Sequence, residues 1–119
     1  MRPRSDRGAV TAELVVALPV LLAVTLALVW LVGLGVGQVR VVDAAREGAR
    51  AVARGDDPDA ARALAVEIAG SGSTVRIVQS PGRVVVSVER PVEGPGGVVG
   101  HLSGVRLRAT AVTTSEQPP

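Results

Sequence analysis

Between Leu14 and Val39 this chain carries no charged residue, and the run is bounded by a carboxylate, Glu13, on one side and by Arg40 on the other. Roughly 20 apolar residues in a helix cross the hydrocarbon core of a bilayer, so the pattern predicts a membrane helix over about residues 14–37. Pro19 interrupts it near its start. Proline removes one backbone hydrogen bond and bends a helix, yet membrane helices tolerate it. Gly33, Gly35 and Gly37 thin the distal end and let another backbone approach. Upstream stand Arg2, Arg4 and Arg7. Arginines beside a span stay on the cytoplasmic side, so the C-terminal part is expected outside.

Glu13 is costly where it stands. A carboxylate at the edge of an apolar run carries a desolvation penalty that leucine or valine would not, so it is used rather than incidental. It follows Gly8 by five residues. A secretory signal peptide fits poorly: the run exceeds the roughly 7–15 apolar residues of such a segment, and no A-x-A cleavage site follows.

Composition narrows the function class. The chain has 119 residues, enough for one small domain and a membrane segment. The sequence pI of about 10.9 reflects arginine in a chain without lysine, tyrosine or cysteine, because the net charge is only +2. Of 13 arginines and 11 acids, three arginines and one acid lie before Gly8, which leaves ten of each beyond it. A nucleic-acid binder would keep a basic stripe interleaved with aromatics. Trp30 is the only aromatic, so no nucleic-acid partner is expected. Absence of cysteine removes disulfides, thiol catalysis and cysteine-ligated zinc.

Beyond the apolar run, Val39, Val42, Ala45, Ala49 and Val52 recur at helical spacing, with Arg40, Asp43, Arg46, Glu47 and Arg50 on the other face. Asp43–Arg46 and Glu47–Arg50 are spaced for surface ion pairs. One helix is therefore expected from about residue 10 to Arg54, ended by Gly55 and Asp56-Asp57-Pro58. A second helix follows, capped by Asp57 with Pro58 at its first position, with Ala60, Ala61, Leu64, Ala65 and Ile68 inward and Gly70 closing it.

Three alternating segments then read as strands: Val75/Ile77, Val84/Val86/Val88 and Val105/Leu107/Ala109/Ala111. Ser80-Pro81-Gly82-Arg83 is a turn. Glu93-Gly94-Pro95-Gly96-Gly97 is a flexible loop, and residues 114–119 form a disordered tail. The expected fold class is α+β: a long helix, a short helix and a three-stranded antiparallel sheet. The expected divisions are a cytoplasmic leader (1–8), the long helix (9–54) and an extracytoplasmic α/β domain (55–113).

No pattern of enzymatic chemistry stands out. His101 is a lone histidine in a Gly-rich loop, and neither Ser71 nor Ser103 has a histidine at a suggestive spacing. HExxH, GxGxxG, P-loop and paired-carboxylate patterns are missing. Asp56-Asp57-x-Asp59 lacks the glycine and bidentate glutamate of a calcium loop, so a helix cap explains it better. The row Arg46, Arg50, Arg54 could meet anionic headgroups or an acidic neighbour, and reads better as a solvated helix face. No catalytic residue, metal or cofactor is expected.

Taken together, Arg7-Gly8…Glu13…Leu18-Pro19, the apolar helix and Ala44-Ala45-Arg46-Glu47-Gly48-Ala49-Arg50 resemble the TadE-like family, pilin-like components of the tight-adherence or Flp pilus system. The resemblance covers about the first 54 residues. It implies a pilin-like minor pilin or pseudopilin, cut by a prepilin peptidase between Gly8 and Ala9, with Glu13 as the fifth mature residue and its charge used in assembly. It implies a single-pass membrane protein whose partners are that peptidase, other pilin-like subunits and an inner-membrane pilus platform, with Pro19, Gly33, Gly35, Gly37 and Gly48 serving helix packing. Major Flp pilins place tyrosine after the glutamate and are much shorter. Leu14 occupies that position here, which points to an accessory subunit. The alternative is a stand-alone single-pass envelope protein with an outer binding domain.

Overall fold

A computed structural model describes residues 3–94 and 104–115, with side chains from Asp6 onward. His101, Ser103, the loop beyond Gly94 and the tail from Glu116 lie outside the described residues. Two helices, α1 (Pro3–Ala53) and α2 (Pro58–Ala69), precede three strands, β1 (Thr74–Ser80), β2 (Arg83–Val92) and β3 (Val105–Thr114). The strands form one antiparallel sheet in the order β1-β2-β3. The α+β class read from the sequence is the one observed.

Helix α1 begins earlier than expected, at Pro3 rather than near residue 10. Proline suits the first helical position, and Asp6 in the first turn complements the helix dipole. The other end stops where the sequence predicted. Gly55 has φ 96°, its N–H donates to the Val52 carbonyl, and the Asp56 N–H reaches back to Ala51, both at 3.0 Å. This doubled closure satisfies carbonyls the helix leaves open.

Asp57 occupies the N-cap of α2 with Pro58 following, but its side chain makes no capping hydrogen bond. Proline at the first helical position pre-sets the helical φ and loses only an N–H the helix leaves unpaired. Asp59 in the first turn instead pairs with Arg62 at 2.9 Å. The C-terminus of α2 is closed from outside: Arg90 of β2 donates to the Ala69 carbonyl at 3.0 Å. A cation there also offsets the negative end of the dipole. Gly70, at φ 105°, must be glycine twice over, because a Cβ would also sit 3.1–3.5 Å from the Arg90 guanidinium.

The hairpin between β1 and β2 turns at Pro81-Gly82, with Ser80 opposite Arg83 and Gly82 at φ 74°. β2 runs on through Pro91 to Val92, farther than the valine alternation predicted. β1 ends its pairing at Glu89, so Pro91 pairs only with β3, opposite Arg106. A strand tolerates proline where one side is open. β3 continues through Thr114, which pairs with Arg83, and Ser115 donates to the Gly82 carbonyl at 3.2 Å. Thr114, placed by the sequence reading in a disordered tail, is instead the last residue of β3.

Both helices cover one face of the sheet. The seam of α1 is built from Val41, Ala44, Ala45, Gly48, Ala49 and Val52. The expected stripe is shifted: Val39 is 60% exposed and Val42 only half-buried. Hydrophobic spacing alone could not say which of two adjacent rows faces the sheet. In α2 the buried row is Ala61, Ala65 and Ala69. Ala60 and Leu64 are exposed and Ile68 half-buried, contrary to expectation. Small alanines let α2 lie close on α1, and the bulkier Leu64 is turned out.

Gly48 marks the closest approach. A Cβ built there would lie 3.3 Å from the Val86 side chain, 3.5 Å from Ala65 and 4.0 Å from the Ala61 carbonyl. Gly37 is tighter, at 2.7 Å from the end of the Leu107 side chain. Among the described residues, a Cβ at Gly33 or Gly35 would meet nothing within 4 Å. Gly48→Val should therefore lower domain stability by about 1–3 kcal/mol through overpacking. Gly35→Ala should leave stability unchanged or slightly raised. Denaturant unfolding in detergent micelles measures both, and equal stability of the two variants would contradict the packing described.

Candidate functional site

The candidate site is the N-terminal half of α1. Through Val29 every described side chain from Asp6 onward is exposed, with Leu14, Val15, Val16, Leu18, Leu21, Leu22 and Leu26 at 53–69%. A core helix of a water-soluble fold would bury one face. Here the apolar stretch projects clear of the sheet, and α1 is long and apolar enough to cross a membrane. Its hydroxyls are satisfied internally: Thr25 donates to the Leu21 carbonyl at 2.8 Å and Thr11 to the Arg7 carbonyl at 2.9 Å. That bonding is what a lipid environment requires of a hydroxyl.

Gly8, Ala9 and Glu13 lie in this continuous helix. Ala9 and Glu13 are four residues apart and therefore on one face, one turn apart. A Cβ at Gly8 would meet nothing within 4 Å among the described residues. Glu13 shares a shallow apolar surface with Ala12, Val16, Ala17, Val20 and Leu21, and it makes no ion pair among the described residues. Pro19 lies inside α1, where it leaves the Val15 carbonyl without a helical donor. Gly37 and Gly48 both pack, but against this chain's own sheet and α2 rather than in the free part of the helix.

The other end of the apolar run meets the domain. Trp30 donates from Nε1 to the Glu93 carbonyl at 3.1 Å, and Gln38 donates from Nε2 to the Arg108 carbonyl at 3.0 Å. Gln38 thus covers part of the outer edge of β3. Sequence reasoning missed Trp30, Gln38 and Arg90. Trp30 left one signal, as the sole aromatic, late in an apolar run; the other two bond to carbonyls that no local spacing reveals.

The arginine row behaves as a solvated face. Arg50 pairs with Glu47 at 3.0 Å and Arg54 with Asp56 at 3.2 Å, with side chains 67% and 58% exposed. The expected Asp43–Arg46 pair does not form; Arg46 instead lines a groove between α1 and β3 with Gln38, Val42 and Arg108. Ser71 lies in an exposed turn. Among the described residues no cluster of three or more His, Cys, Asp or Glu could hold a metal.

One charge cluster sits on the outer face of the sheet. Glu89 accepts from Arg106 at 3.0 Å and from Arg108 at 3.2 Å. The Arg106 hydrogen bond, chiefly, holds the Glu89 carboxyl below the usual carboxylate range; desolvation opposes it and the Arg108 charge assists. A carboxyl with a lowered folded-state pKa stabilises above its unfolded pKa, and the contribution fades as pH falls through the folded value. Because the cluster is solvated, the effect is small and salt-sensitive. Carboxyl NMR should place the Glu89 midpoint below that of a model peptide, and Glu89→Gln should remove this part of the acid limb. An ordinary midpoint would show that the two arginines do not engage it in solution.

Residues 8–50 match the family of TadE-like proteins, which bears out the resemblance over the stretch that carried it. No curated protein and no solved structure matches the chain.

Proposed function

We propose that this chain is a minor pilin or pseudopilin-like structural subunit of a tight-adherence, type IV-like pilus or a related secretion machine. The observation that carries this reading is the TadE-like match over residues 8–50, which spans Gly8, Glu13 and the whole exposed apolar part of α1. In this reading α1 inserts as a single span, with its arginine-bearing end cytoplasmic and the sheet domain outside. A prepilin peptidase cuts between Gly8 and Ala9. The subunit then joins other pilin-like subunits at an inner-membrane platform through the free half of α1.

The physical chemistry supports a division of labour. Insertion needs only the apolar run. Cleavage needs the backbone at residue 8 to approach catalytic groups closely, which glycine permits. Assembly needs a partner for Glu13, since a charge held in the bilayer costs about 2.5–3.5 kcal/mol even on insertion scales. The cut creates that partner, because the nitrogen of Ala9 becomes an ammonium one turn from Glu13, on the same helix or on a neighbouring one.

Intact-mass measurement on envelope-purified protein should find a chain beginning at Ala9, and Gly8→Val should remain uncut yet inserted. Met1 retained in the assembled form would favour the stand-alone envelope protein instead. A second expectation separates cleavage from assembly. Glu13→Ala should insert and be cut as the parent is, yet lose crosslinks to other pilin-like subunits in membranes. Glu13→Asp, one methylene shorter, should be intermediate. Undiminished crosslinking of the alanine variant would remove Glu13 from assembly.

A further inference from the structure

In the uncut chain, with Glu13 held at the water boundary, the free part of α1 is too short for the membrane it is to cross. Sixteen residues, from Leu14 to Val29, separate Glu13 from Trp30, where the domain begins to overlap the helix. At 1.5 Å per residue they span about 24 Å. The hydrocarbon core is about 30 Å thick and takes roughly 20 residues. About four more residues of α1 are needed, and those four run alongside the sheet.

The surface at that end suits lipid. The first charge on α1 beyond Glu13 is Arg40. Between Trp30 and Arg40, the side of α1 not covered by the sheet exposes Leu31 at 54%, Val32 at 68%, Val36 at 51% and Val39 at 60%. The strand ends nearest Trp30 are the half-buried pair Val92 and Val105. Two exposed charges adjoin that pair, Glu93 directly after Val92 and Arg106 directly after Val105, so this end suits the headgroup boundary rather than the acyl core. Trp30 is itself suited to the boundary, with an apolar ring and an N–H. That N–H is already bonded to the Glu93 carbonyl, so sinking it leaves no donor unsatisfied.

From this shortfall and this surface we infer that the domain does not stand off the membrane but rests partly in it. The Val92–Val105 end of the sheet, with Trp30 and Leu31, is a lipid-binding surface seated at the boundary between acyl chains and headgroups of the outer leaflet. The inference rests on the membrane-spanning reading of α1. It also places Arg46, Arg50 and Arg54 well away from the headgroups: Arg46 lies sixteen residues past Trp30, about 24 Å farther along the helix.

The chain has no cysteine, so single labels are clean. A Cβ at Gly104 would meet no described atom within 4 Å and Gly104 directly precedes β3, Thr114 closes the far end of β3, and Val20 lies in the free part of α1. Full-length Val20→Cys, Gly104→Cys and Thr114→Cys carrying a nitroxide are placed in phosphatidylcholine–phosphatidylglycerol vesicles. Collision with oxygen, which partitions into lipid, is compared with collision with a water-soluble nickel chelate. Oxygen should dominate at Val20 and again at Gly104, with Gly104 shallower, while the nickel chelate dominates at Thr114. Oxygen at Val20 with nickel at both Gly104 and Thr114 overturns the seated domain and leaves the span intact; a thinned bilayer or a drawn-in Glu13 gives that outcome. Nickel at all three sites overturns the span and the inference with it. The emission of Trp30, the sole fluorophore of its kind, supplies an unlabelled check: quenching by lipids brominated near the headgroup is expected, and its absence counts against the seat.

Discussion

Close approach of α1 to the sheet and to α2 is the constraint on which the domain depends. The chain has no phenylalanine or tyrosine to fill a core, and its largest fully buried side chains are valines, Val41, Val86 and Val88. Small side chains bury little area apiece, so attraction has to come from many atoms at contact distance. Ala44, Ala45, Gly48 and Ala49 on α1 meet Ala61, Ala65 and Ala69 on α2 and Val84, Val86 and Val88 on β2. At Gly48 three elements converge within the reach of a single methyl group. Around Gly48 the neighbours are valine, alanine and backbone, which have little freedom to absorb an added carbon, so the small residue there is specifying rather than neutral.

The same helix serves two solvents. From Val41 onward α1 is a structural element of a domain in water, covered by sheet and α2. Through Val29 every described side chain from Asp6 onward is exposed. Between these lies a stretch, Trp30 to Gln38, that does both: Leu34, Gly37 and Gln38 face the sheet while Leu31, Val32 and Val36 remain open. Domain and anchor therefore share residues, and neither can shift along the axis of α1 without the other.

Much of this fold was legible because its signals are local. The apolar run, Gly55 after the last helical turn, Pro58 at the start of α2, the Pro81-Gly82 turn and the valine alternation of β2 each act within a few residues. What stayed hidden was relational. Val39 and Val41 are equally apolar, and only the packing of α1 on the rest of the domain decides that Val41 is buried. Leu64 is larger than Ala65, yet a helix pressed onto another helix prefers the alanine row. Arg90 and Gln38 satisfy carbonyls 21 and 70 residues distant in sequence, which no pattern at short spacing encodes. For the candidate site, Gly8, Ala9 and Glu13 were legible as a motif, and the helix adds that Ala9 and Glu13 share a face.

That shared face gives the proposed processing step an energetic direction. Before cleavage the nitrogen of residue 9 is an uncharged amide inside a helix, and Glu13 at the membrane edge has no cation in its own turn other than what Arg7 can reach from six residues upstream. Two unit charges about 4 Å apart at an effective dielectric of 20 attract by about 4 kcal/mol, comparable to the roughly 2.5–3.5 kcal/mol that a charge costs within the bilayer. The precursor thus has reason to keep Glu13 at the water boundary. Once the ammonium exists, the attraction offsets part of the cost of moving both charges inward, and hydrogen bonds from a neighbouring helix lower the remainder. Cleavage would then do more than trim the chain: it would change which depth, and which neighbour, the N-terminal turn of α1 prefers.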